Sequence, residues 1–592
     1  MITKNININI KHQLLILVFI AVGLNVNTLF NEYALDDLVV MTQNRFVEKG
    51  IKGIPDLLTT DYAYGYSTKE NILTGARYRP ISLVLFALEH QFFGATPFVS
   101  HLINIILFAL LTALLYKLLK THIFREQHEY LAFITCIIFA VHPIHTEVIA
   151  NVKSRDELIT FILLIVSLIS CIKYIGNKSR QLLLISLFCF FIALLTRETA
   201  VTYAGVVPLI LYFFFNQSIK NSVLYTIPFI IVFAGYMLIR YLIVGFENYP
   251  VNDVTNSPYL YASGSEAFAT KVFILFKYIG LLVFPYPLST DYGYNQIPYI
   301  DIRSIQFILS FLLIVCLAIY AAINFKKKSI FSFCIIYFFV TISVGTNFIV
   351  DLGAPLAERM LFQPSLAFCI LTAVLFLNVY KYAKVLSAIS LFVIMLLFSV
   401  KTIARNSEWK NNETLFFADV ISSPNCSRLN LYASEKYIIK ANNESNEKLK
   451  NESLNKAVYY GERSLKIHSK FAYTYLRLGF AYYYLQNYFK AADLWIQAYK
   501  LDPLDSGTKK WTEKLSDILY RQGNGLSEQG KIGEAVKYFK KSVELNNTNT
   551  EAWYNLGGNY YLLNDTKNGD AAWQNVLILD PNHKFNKNEF SK

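Results

Sequence analysis

The chain has 592 residues, of which 54% are hydrophobic and only 16% are charged, and its mean hydropathy is +0.35. This composition excludes a soluble globular protein, because a folded chain of this length in water needs more polar surface. The formal net charge of +13 lies largely in short Lys/Arg clusters between apolar segments, as membrane topology requires, and this placement argues against nucleic-acid binding.

Apolar segments of membrane-helix length follow one another up to about Val400, and Lys, Glu and Asn become frequent after it. We therefore predict an all-α fold in two domains. Residues 1–404 are predicted to form a polytopic membrane helix bundle, and residues 405–592 a soluble domain. Six of the seven cysteines lie in apolar segments, which argues against a disulfide framework.

Eleven segments have the composition of membrane spans. The first follows Lys4 and Lys11, and we interpret it as an uncleaved span rather than a signal peptide because no small-x-small cleavage site follows it. The predicted spans are 14–30, 98–119, 131–141, 158–175, 182–195, 201–215, 223–244, 305–325, 330–350, 360–379 and 385–400.

Basic loop residues predict the orientation, since they stay on the cytoplasmic side. Counting eleven spans places every cluster on one face: Lys4/Lys11, Lys117/Lys120/Arg125, Lys173/Lys178/Arg180, Lys220, Lys326/Lys327/Lys328 and Lys381/Lys384. This agreement requires that segment 272–284 does not cross. The segment is short, contains Lys277 and ends in Pro285 and Pro287, so we interpret it as interfacial or re-entrant. The predicted non-cytoplasmic loops are 31–95, 142–156, 196–200, 245–303, 351–359 and everything after 401.

The soluble part matches the 34-residue tetratricopeptide (TPR) pattern. Small residues such as Gly479 and Ala498 alternate with large aromatics such as Trp495, and the phase returns twice, which gives repeats at 472–505, 516–549 and 550–583. A degenerate unit at about 430–470 precedes them, across a polar stretch, 442–453, that we expect to be an insertion or a flexible loop. The aromatic residues are interpreted as repeat core, and the concave face of the stack as a surface for a peptide or protein.

Polar groups that orientation does not explain concentrate on the predicted outer face. Paired acids and guanidinium groups on one face favour a reaction at the outer membrane surface. The residues are Asp36, Asp37, Arg77, Arg79, His142, His145, Glu147, Arg155, Asp156, Arg197, Glu198, Asp291, Glu358 and Arg359.

Each group has a structural alternative. Two carboxylates beside a span end are costly unless they are used, which favours function for Asp36 and Asp37. His142, His145 and Glu147 form either a loop hydrogen-bond cluster or part of a site, and a proline between the histidines argues against a metal. The pairs at 197–198 and 358–359 are either ion pairs at span ends or site residues.

The order of these motifs resembles the transmembrane and tetratricopeptide-repeat-containing O-mannosyltransferases, the TMTC family, which belongs to the GT-C glycosyltransferases. The matching segments are ALDD (34–37), YRPISLVLFALEHQFFGATPFVSHLINIILF (78–108), FAVHPIHTEVIANVKSRDEL (139–158), TRETAV (196–201), FPYPLSTDY (284–292) and ERMLFQPSLAFCIL (358–371). The repeat tail departs from the family because it is short, with three or four repeats where the family commonly has a long array.

This resemblance implies transfer of a mannose-like hexose from a polyprenyl-phosphate carrier to Ser or Thr hydroxyls of proteins outside the cytoplasm. It assigns the catalytic base to Asp36, with Asp37 as its neighbour and substitute candidate. The implied donor-phosphate ligands are Arg79, Arg155, Arg197 and Arg359, and the supporting outer-face residues are His142, His145, Glu147, Glu198, Asp291 and Glu358. We expect no metal and no cofactor, because the lipid-linked sugar is a substrate and only one phosphate needs neutralising.

Three other functions are considered. A non-catalytic membrane scaffold for TPR partners would need only one anchor helix. A GT-C enzyme that glycosylates a lipid or glycan is harder to separate, although the repeats favour a polypeptide acceptor. Transport is weaker, because no charged residue lies deep in a predicted span. The Lys/Asn/Ile-rich composition favours a bacterial inner membrane with a periplasmic tail; in a eukaryote the tail would be lumenal in the endoplasmic reticulum.

Overall fold

The computed structural model describes residues 9–66, 77–245, 253–254 and 256–585. These residues form helices and connecting loops, with no strand among them, as predicted. The chain divides into two compact units. One comprises Met1–Gly293 with Ile297–Ser423, and the other comprises Tyr294–Gln296 with Pro424–Lys592. The division lies after residue 423, whereas the sequence places the boundary after residue 404, because helix Asn412–Ser422 packs with the membrane unit.

All eleven predicted spans form helices in the first unit, which is a multi-pass membrane bundle. Six helices are long and apolar enough to cross a membrane: Ile10–Phe30, Pro97–Ile123, Val152–Asn177, Ile219–Val244, Ile305–Phe325 and Lys384–Glu408. Leu131–Val141 and Pro143–Ala150 together would make a seventh span, bent by 56°. The remaining predicted spans are shorter apolar helices, Arg180–Thr196, Glu198–Phe214, Ile330–Thr346 and Ser365–Tyr380. The count of eleven crossings therefore stays a prediction.

Further helices, most of them short, complete this unit around the ends of the spans. A proline fits the first turn of a helix but cannot continue one, and Pro80, Pro97 and Pro143 each begin a helix. The helices are Asp37–Met41, Gly50–Gly53, Ile54–Leu58, Pro80–Phe93, Pro143–His145, Thr146–Ala150, Val152–Ser154, Gly264–Val283, Ser343–Thr346, Glu358–Leu361 and Asn412–Ser422.

Contacts between loops agree with the up-and-down order predicted from charge. On the predicted outer face, Glu32 N–H donates to the Lys410 carbonyl at 2.8 Å. On the other face, Lys178 Nζ donates to Tyr225 Oη at 2.6 Å, and Lys328 Nζ donates to Asn216 at 3.2 Å. Each contact joins segments that the charge pattern places at the same face. Which face is cytoplasmic remains a prediction, and Lys4 lies outside the described residues.

The segment 272–284 belongs to a 20-residue helix, Gly264–Val283, which is longer than expected. Its first half contacts the loops around Asp351, through Lys271 at 3.5 Å. At its other end, the Leu282 carbonyl accepts a hydrogen bond from His142 at 2.9 Å. Both ends thus contact loops of the predicted outer face, which favours the interfacial interpretation over a crossing.

The second unit consists of four helix pairs: Ser427–Asn442 with Glu447–Ile467, Ala472–Tyr484 with Tyr488–Leu501, Ser506–Glu528 with Ile532–Leu545, and Thr550–Leu562 with Thr566–Leu579. The stretch 442–453 is not the loop we expected. It is helical from Glu447, because Asn446 caps that helix and accepts from the Lys448 and Leu449 amides. The third repeat begins at Ser506, ten residues before the predicted start at 516, because Asp505 caps its first helix.

Glycines in the repeats face large aromatic rings of the paired helix. A Cβ on Gly479 would lie 2.2 Å from Trp495, and one on Gly557 would lie 2.2 Å from Trp573. The two indoles are fixed by equivalent hydrogen bonds, from Trp495 to the Leu476 carbonyl and from Trp573 to a carbonyl of the preceding helix, both at 3.0 Å. Small residues at these positions are therefore required by close helix packing.

We expect residues 424–592, expressed alone, to fold as a helical stack that Gly479→Ala destabilises by about 1–3 kcal/mol, because the added methyl meets the Trp495 ring. Urea unfolding followed by circular dichroism measures this effect. The matched control is Gly533→Ala, where a Cβ meets nothing within 4 Å and stability should hold or rise slightly. Equal losses in both variants, or a disordered wild-type fragment, would contradict the repeat assignment.

Candidate active site

The two acids after the first span have different surroundings. Asp37 is fully buried. Its carboxylate accepts hydrogen bonds from the Ala34 amide at 3.1 Å and from the Lys153 amide at 2.7 Å. Burial raises the pKa of Asp37 to about 7, although these amides oppose the shift. Asp37 therefore fastens its own loop to the segment Val152–Ser154 and is not accessible to a substrate.

Asp36 is the accessible member of the pair, with 60% of its side chain exposed. Lys153 Nζ lies 3.5 Å from Asp36 Oδ2. Loss of surrounding water raises the pKa of Asp36, because it disfavours the charged form. The positive charges of Lys153, Arg359 and Arg77 outweigh this effect and hold the pKa below its usual range. The structure thus presents an ionised, accessible carboxylate among three cations.

Arg79 and Arg197 share one buried carboxylate. Arg79 donates to Asp156 at 3.0 Å and to Glu198 at 2.7 Å. Arg197 donates to both oxygens of Asp156, at 2.8 and 2.9 Å, and lies 2.9 Å from Glu157. Both guanidinium groups are buried, so these two candidate phosphate ligands are already neutralised by carboxylates.

The Arg155 side chain makes its hydrogen bonds to buried groups inside the protein. It donates to Asn104 at 2.7 Å, to the Ser100 carbonyl at 2.9 Å and to the buried carboxylate of Glu89. Its side chain is 3% exposed. This network ties helix Pro80–Phe93 to the beginning of the helix that starts at Arg155, which is a structural use of the residue.

Arg359 is the most accessible of the four predicted phosphate ligands. Its side chain is 24% exposed, and it donates to Glu147 from its guanidinium at 2.5 Å and from its backbone amide at 2.8 Å. Arg77 is exposed as well, and its guanidinium makes no hydrogen bond or ion pair with any residue in the described ranges. Like Lys153, both arginines lower the pKa of Asp36 through their positive charge.

Both histidines make hydrogen bonds within the buried loops. His142 accepts from the Ile144 amide at 3.2 Å, and His145 contacts Ser365 Oγ at 2.8 Å. The His145 ring lies 4.2 Å from that of Phe139. Over the part of the chain that the structure describes, no group of three or more His, Cys, Asp and Glu is arranged to hold a metal.

Glu358 belongs to a second buried network. It accepts from the Ser289 amide at 2.6 Å and from Tyr292 Oη at 2.8 Å, and burial raises its pKa to about 8. Asp291 accepts from the Gly293 amide at 2.8 Å in the same loop. These contacts give both acids a role in holding the 284–293 loop.

Several partners were not singled out in the sequence. Lys153 resembles any loop lysine, Glu89 occurs in an apolar helical pattern, and Glu157 ends a charged stretch just before an apolar segment. The ion pairs above and the charges that act on Asp36 define one group, here called the charged cluster. It comprises Asp36, Arg77, Arg79, Glu147, Lys153, Asp156, Glu157, Arg197, Glu198 and Arg359. An accessible carboxylate beside cations can accept a proton next to a bound anion.

Comparison with known proteins finds longer relatives that match over most of this chain. Models of protein families give no match. The chain is 23% identical to the human protein O-mannosyl-transferase TMTC3 over 98% of its own length. It is 26% identical to human TMTC1 over 76%, and 26% identical to protein O-mannosyl-transferase F38B6.6 of Caenorhabditis elegans over 70%. The chain is a homologue of the TMTC protein O-mannosyl-transferases. The alignments cover 69%, 54% and 58% of those three relatives, so the chain spans between about half and two thirds of their length.

Solved structures outside the TMTC proteins show weaker similarity. The oligosaccharyltransferase of Archaeoglobus fulgidus aligns with 76% of this chain and 59% of its own, at a TM-score of 0.34 and 14% identity. The TPR protein YrrB aligns with 35% of this chain and 93% of its own, at a TM-score of 0.17 and 17% identity.

Proposed function

We propose that the protein is a membrane glycosyltransferase that moves a mannose-like hexose from a polyprenyl-phosphate donor to Ser or Thr hydroxyls of proteins. The observation that carries this proposal is the accessible carboxylate of Asp36 among Lys153, Arg77 and Arg359, in a chain whose relatives are named protein O-mannosyl-transferases.

In the proposed reaction, Asp36 takes the proton of the acceptor hydroxyl as its oxygen bonds to the anomeric carbon of the sugar. The bond between that carbon and the donor phosphate oxygen breaks, and its electron pair leaves with the lipid phosphate. A hydroxyl is a poor nucleophile, so a positioned base is needed. The leaving phosphate gains negative charge, which fixed guanidinium donors stabilise.

Among the arginines, Arg359 and Arg77 fit the phosphate-binding role best. Arg359 has an accessible guanidinium near Asp36, and Arg77 has no carboxylate partner among the described residues. Arg79, Arg155 and Arg197 are engaged by buried acids, so we assign them to holding the cluster. The proposal needs no metal, because two arginines suffice for one phosphate.

We further propose that the acceptor is a polypeptide bound by the repeat unit, since stacked helix pairs present an extended concave surface. The charged cluster and the repeat unit are assigned to the non-cytoplasmic face. That face is the periplasmic side of a bacterial inner membrane or the lumenal side of the endoplasmic reticulum. The relatives reported above are animal proteins and do not favour the bacterial alternative.

Transfer from a polyprenyl-phosphate mannose to a Ser/Thr peptide, with the purified protein in nanodiscs, tests the proposal. We expect Arg359→Gln to raise the KM for the donor about tenfold or more, because the phosphate loses a charged partner. Arg303→Gln is the matched control, since Arg303 is an exposed arginine of the same predicted face outside the cluster. Transfer to a lipid acceptor alone would indicate a glycolipid enzyme. No transfer by the wild type to either acceptor would contradict the proposal and favour the non-catalytic scaffold.

A further inference from the structure

Lys153 is a buried lysine whose two ends serve the two acids differently. Its side chain is 6% exposed, and its ammonium nitrogen lies 3.5 Å from the exposed carboxylate of Asp36. Its backbone amide donates to the buried carboxylate of Asp37 at 2.7 Å. Lys153, which is 116 positions after Asp37, therefore fixes the loop through Asp37 and faces Asp36.

The backbone around Lys153 is held firmly. The Ser154 amide donates to the Asn151 side chain at 3.1 Å, and Asn104 donates to the Asn151 and Ile149 carbonyls at 3.3 and 3.1 Å. A lysine held in this way at its base, with its stem buried, loses little further side-chain freedom when it pairs. This arrangement fits an ion pair that is built into the fold better than a mobile surface contact.

We infer that Lys153 is the positioning residue of the proposed catalytic base, orienting the Asp36 carboxylate and keeping it ionised. This inference rests on the proposed function. In this role Lys153 does not touch the reacting atoms and acts only through Asp36. A buried ammonium without a partner is costly, so this pairing also accounts for a lysine at a position that is otherwise closed to solvent.

The electrostatic surroundings of Asp36 make Lys153 the leading opposing charge. Arg359 and Arg77 add smaller favourable contributions, while Asp37 and Tyr62 face the same carboxylate as groups of like sign when ionised. Removing the Lys153 charge must therefore raise the pKa of Asp36. A carboxylate base is active only when ionised. A variant without the Lys153 charge would therefore lose activity at a higher pH than the wild type as the solution is acidified.

Labelling of Asp36 tests the pairing without any assay of activity. Carbodiimide reacts with protonated carboxyl groups, and mass spectrometry of the purified full chain follows modification of Asp36 against pH. We expect Lys153→Met to move the midpoint upward by about 1–3 pH units, the usual effect of losing an opposite charge at this distance. Lys153→Arg should keep the wild-type midpoint. Lys271→Met is the matched control, because Lys271 also lies 3.5 Å from an aspartate, Asp351, outside the cluster.

The pH profile of kcat/KM for transfer provides the second readout. We expect its acidic limb to shift upward in Lys153→Met and to be restored in Lys153→Arg. If Lys153→Met does not fold, Lys153→Gln is measured in its place with the same expected shift. An unchanged Asp36 labelling midpoint in the neutral variant, or an unchanged limb, overturns the inference. Failure of the proposed function is recognised separately, as a wild-type protein that transfers no sugar.

Discussion

Asp36→Asn is expected to abolish sugar transfer while the protein stays inserted, folded and able to bind donor. The amide keeps the size of the side chain but removes the basic lone pair, so a general base should lose roughly a hundredfold or more in rate. Because Asp36 is exposed and the amide oxygen of the variant can still accept from the Lys153 ammonium, its replacement should change the melting temperature little. Transfer from polyprenyl-phosphate mannose to a Ser/Thr peptide, at equal protein level, measures the effect.

Asp37→Asn provides the contrast within the same loop. Asp37 accepts two backbone amides in a buried position, so its replacement should lower the melting temperature together with activity. Asp56→Asn controls for loss of charge, since Asp56 pairs with Lys49 at the surface and should leave both unchanged. Near-wild-type transfer by Asp36→Asn would remove Asp36 from the reaction and with it the main support for the mechanism.

Arg155→Met is expected to destabilise the membrane unit by about 3–5 kcal/mol, the usual cost of removing one partner of a buried ion pair. Glu89, which is 5% exposed, would keep its charge without the guanidinium. Thermal unfolding of the purified protein in detergent measures the loss. The double variant Arg155→Met/Glu89→Leu should recover part of it, because no buried charge then remains.

Lys49→Met is the control for this prediction, as it breaks an exposed pair at 3.3 Å and should have little effect. A variant at Arg155 that keeps wild-type stability but loses donor binding would contradict the structural assignment. It would return Arg155 to the phosphate-binding candidates.

The helices were largely predictable because apolar length is a local property of the sequence. The ends of the helices were not predictable, because they depend on individual turns in the chain. The predicted span 330–350 is α-helical only to Ile342 and continues as a 3-10 helix to Thr346, after which the chain turns at Asn347, which has a positive φ of 58°. Likewise, the helix predicted from 360 begins only at Ser365, after a tight turn that places Glu358 and Arg359.

The site was predictable as a set of residues but not as a set of roles. Asp36 and Asp37 are adjacent in sequence. Their different contacts with Lys153, which is far along the chain, distinguish the accessible acid from the buried one. The four candidate arginines look alike in sequence. They differ in the carboxylates that meet them in space, such as Glu89 for Arg155 and Asp156 for Arg197, and no local pattern reveals such pairings.

The charged cluster contains five carboxylates and five cations, so its formal charge is zero when all are ionised. On the proposed function, a donor phosphate that binds Arg359 would compete with Glu147 for the guanidinium. The same competition would assist release of the spent carrier, because Glu147 already lies beside Arg359. These contacts would favour turnover over tight retention of the donor phosphate.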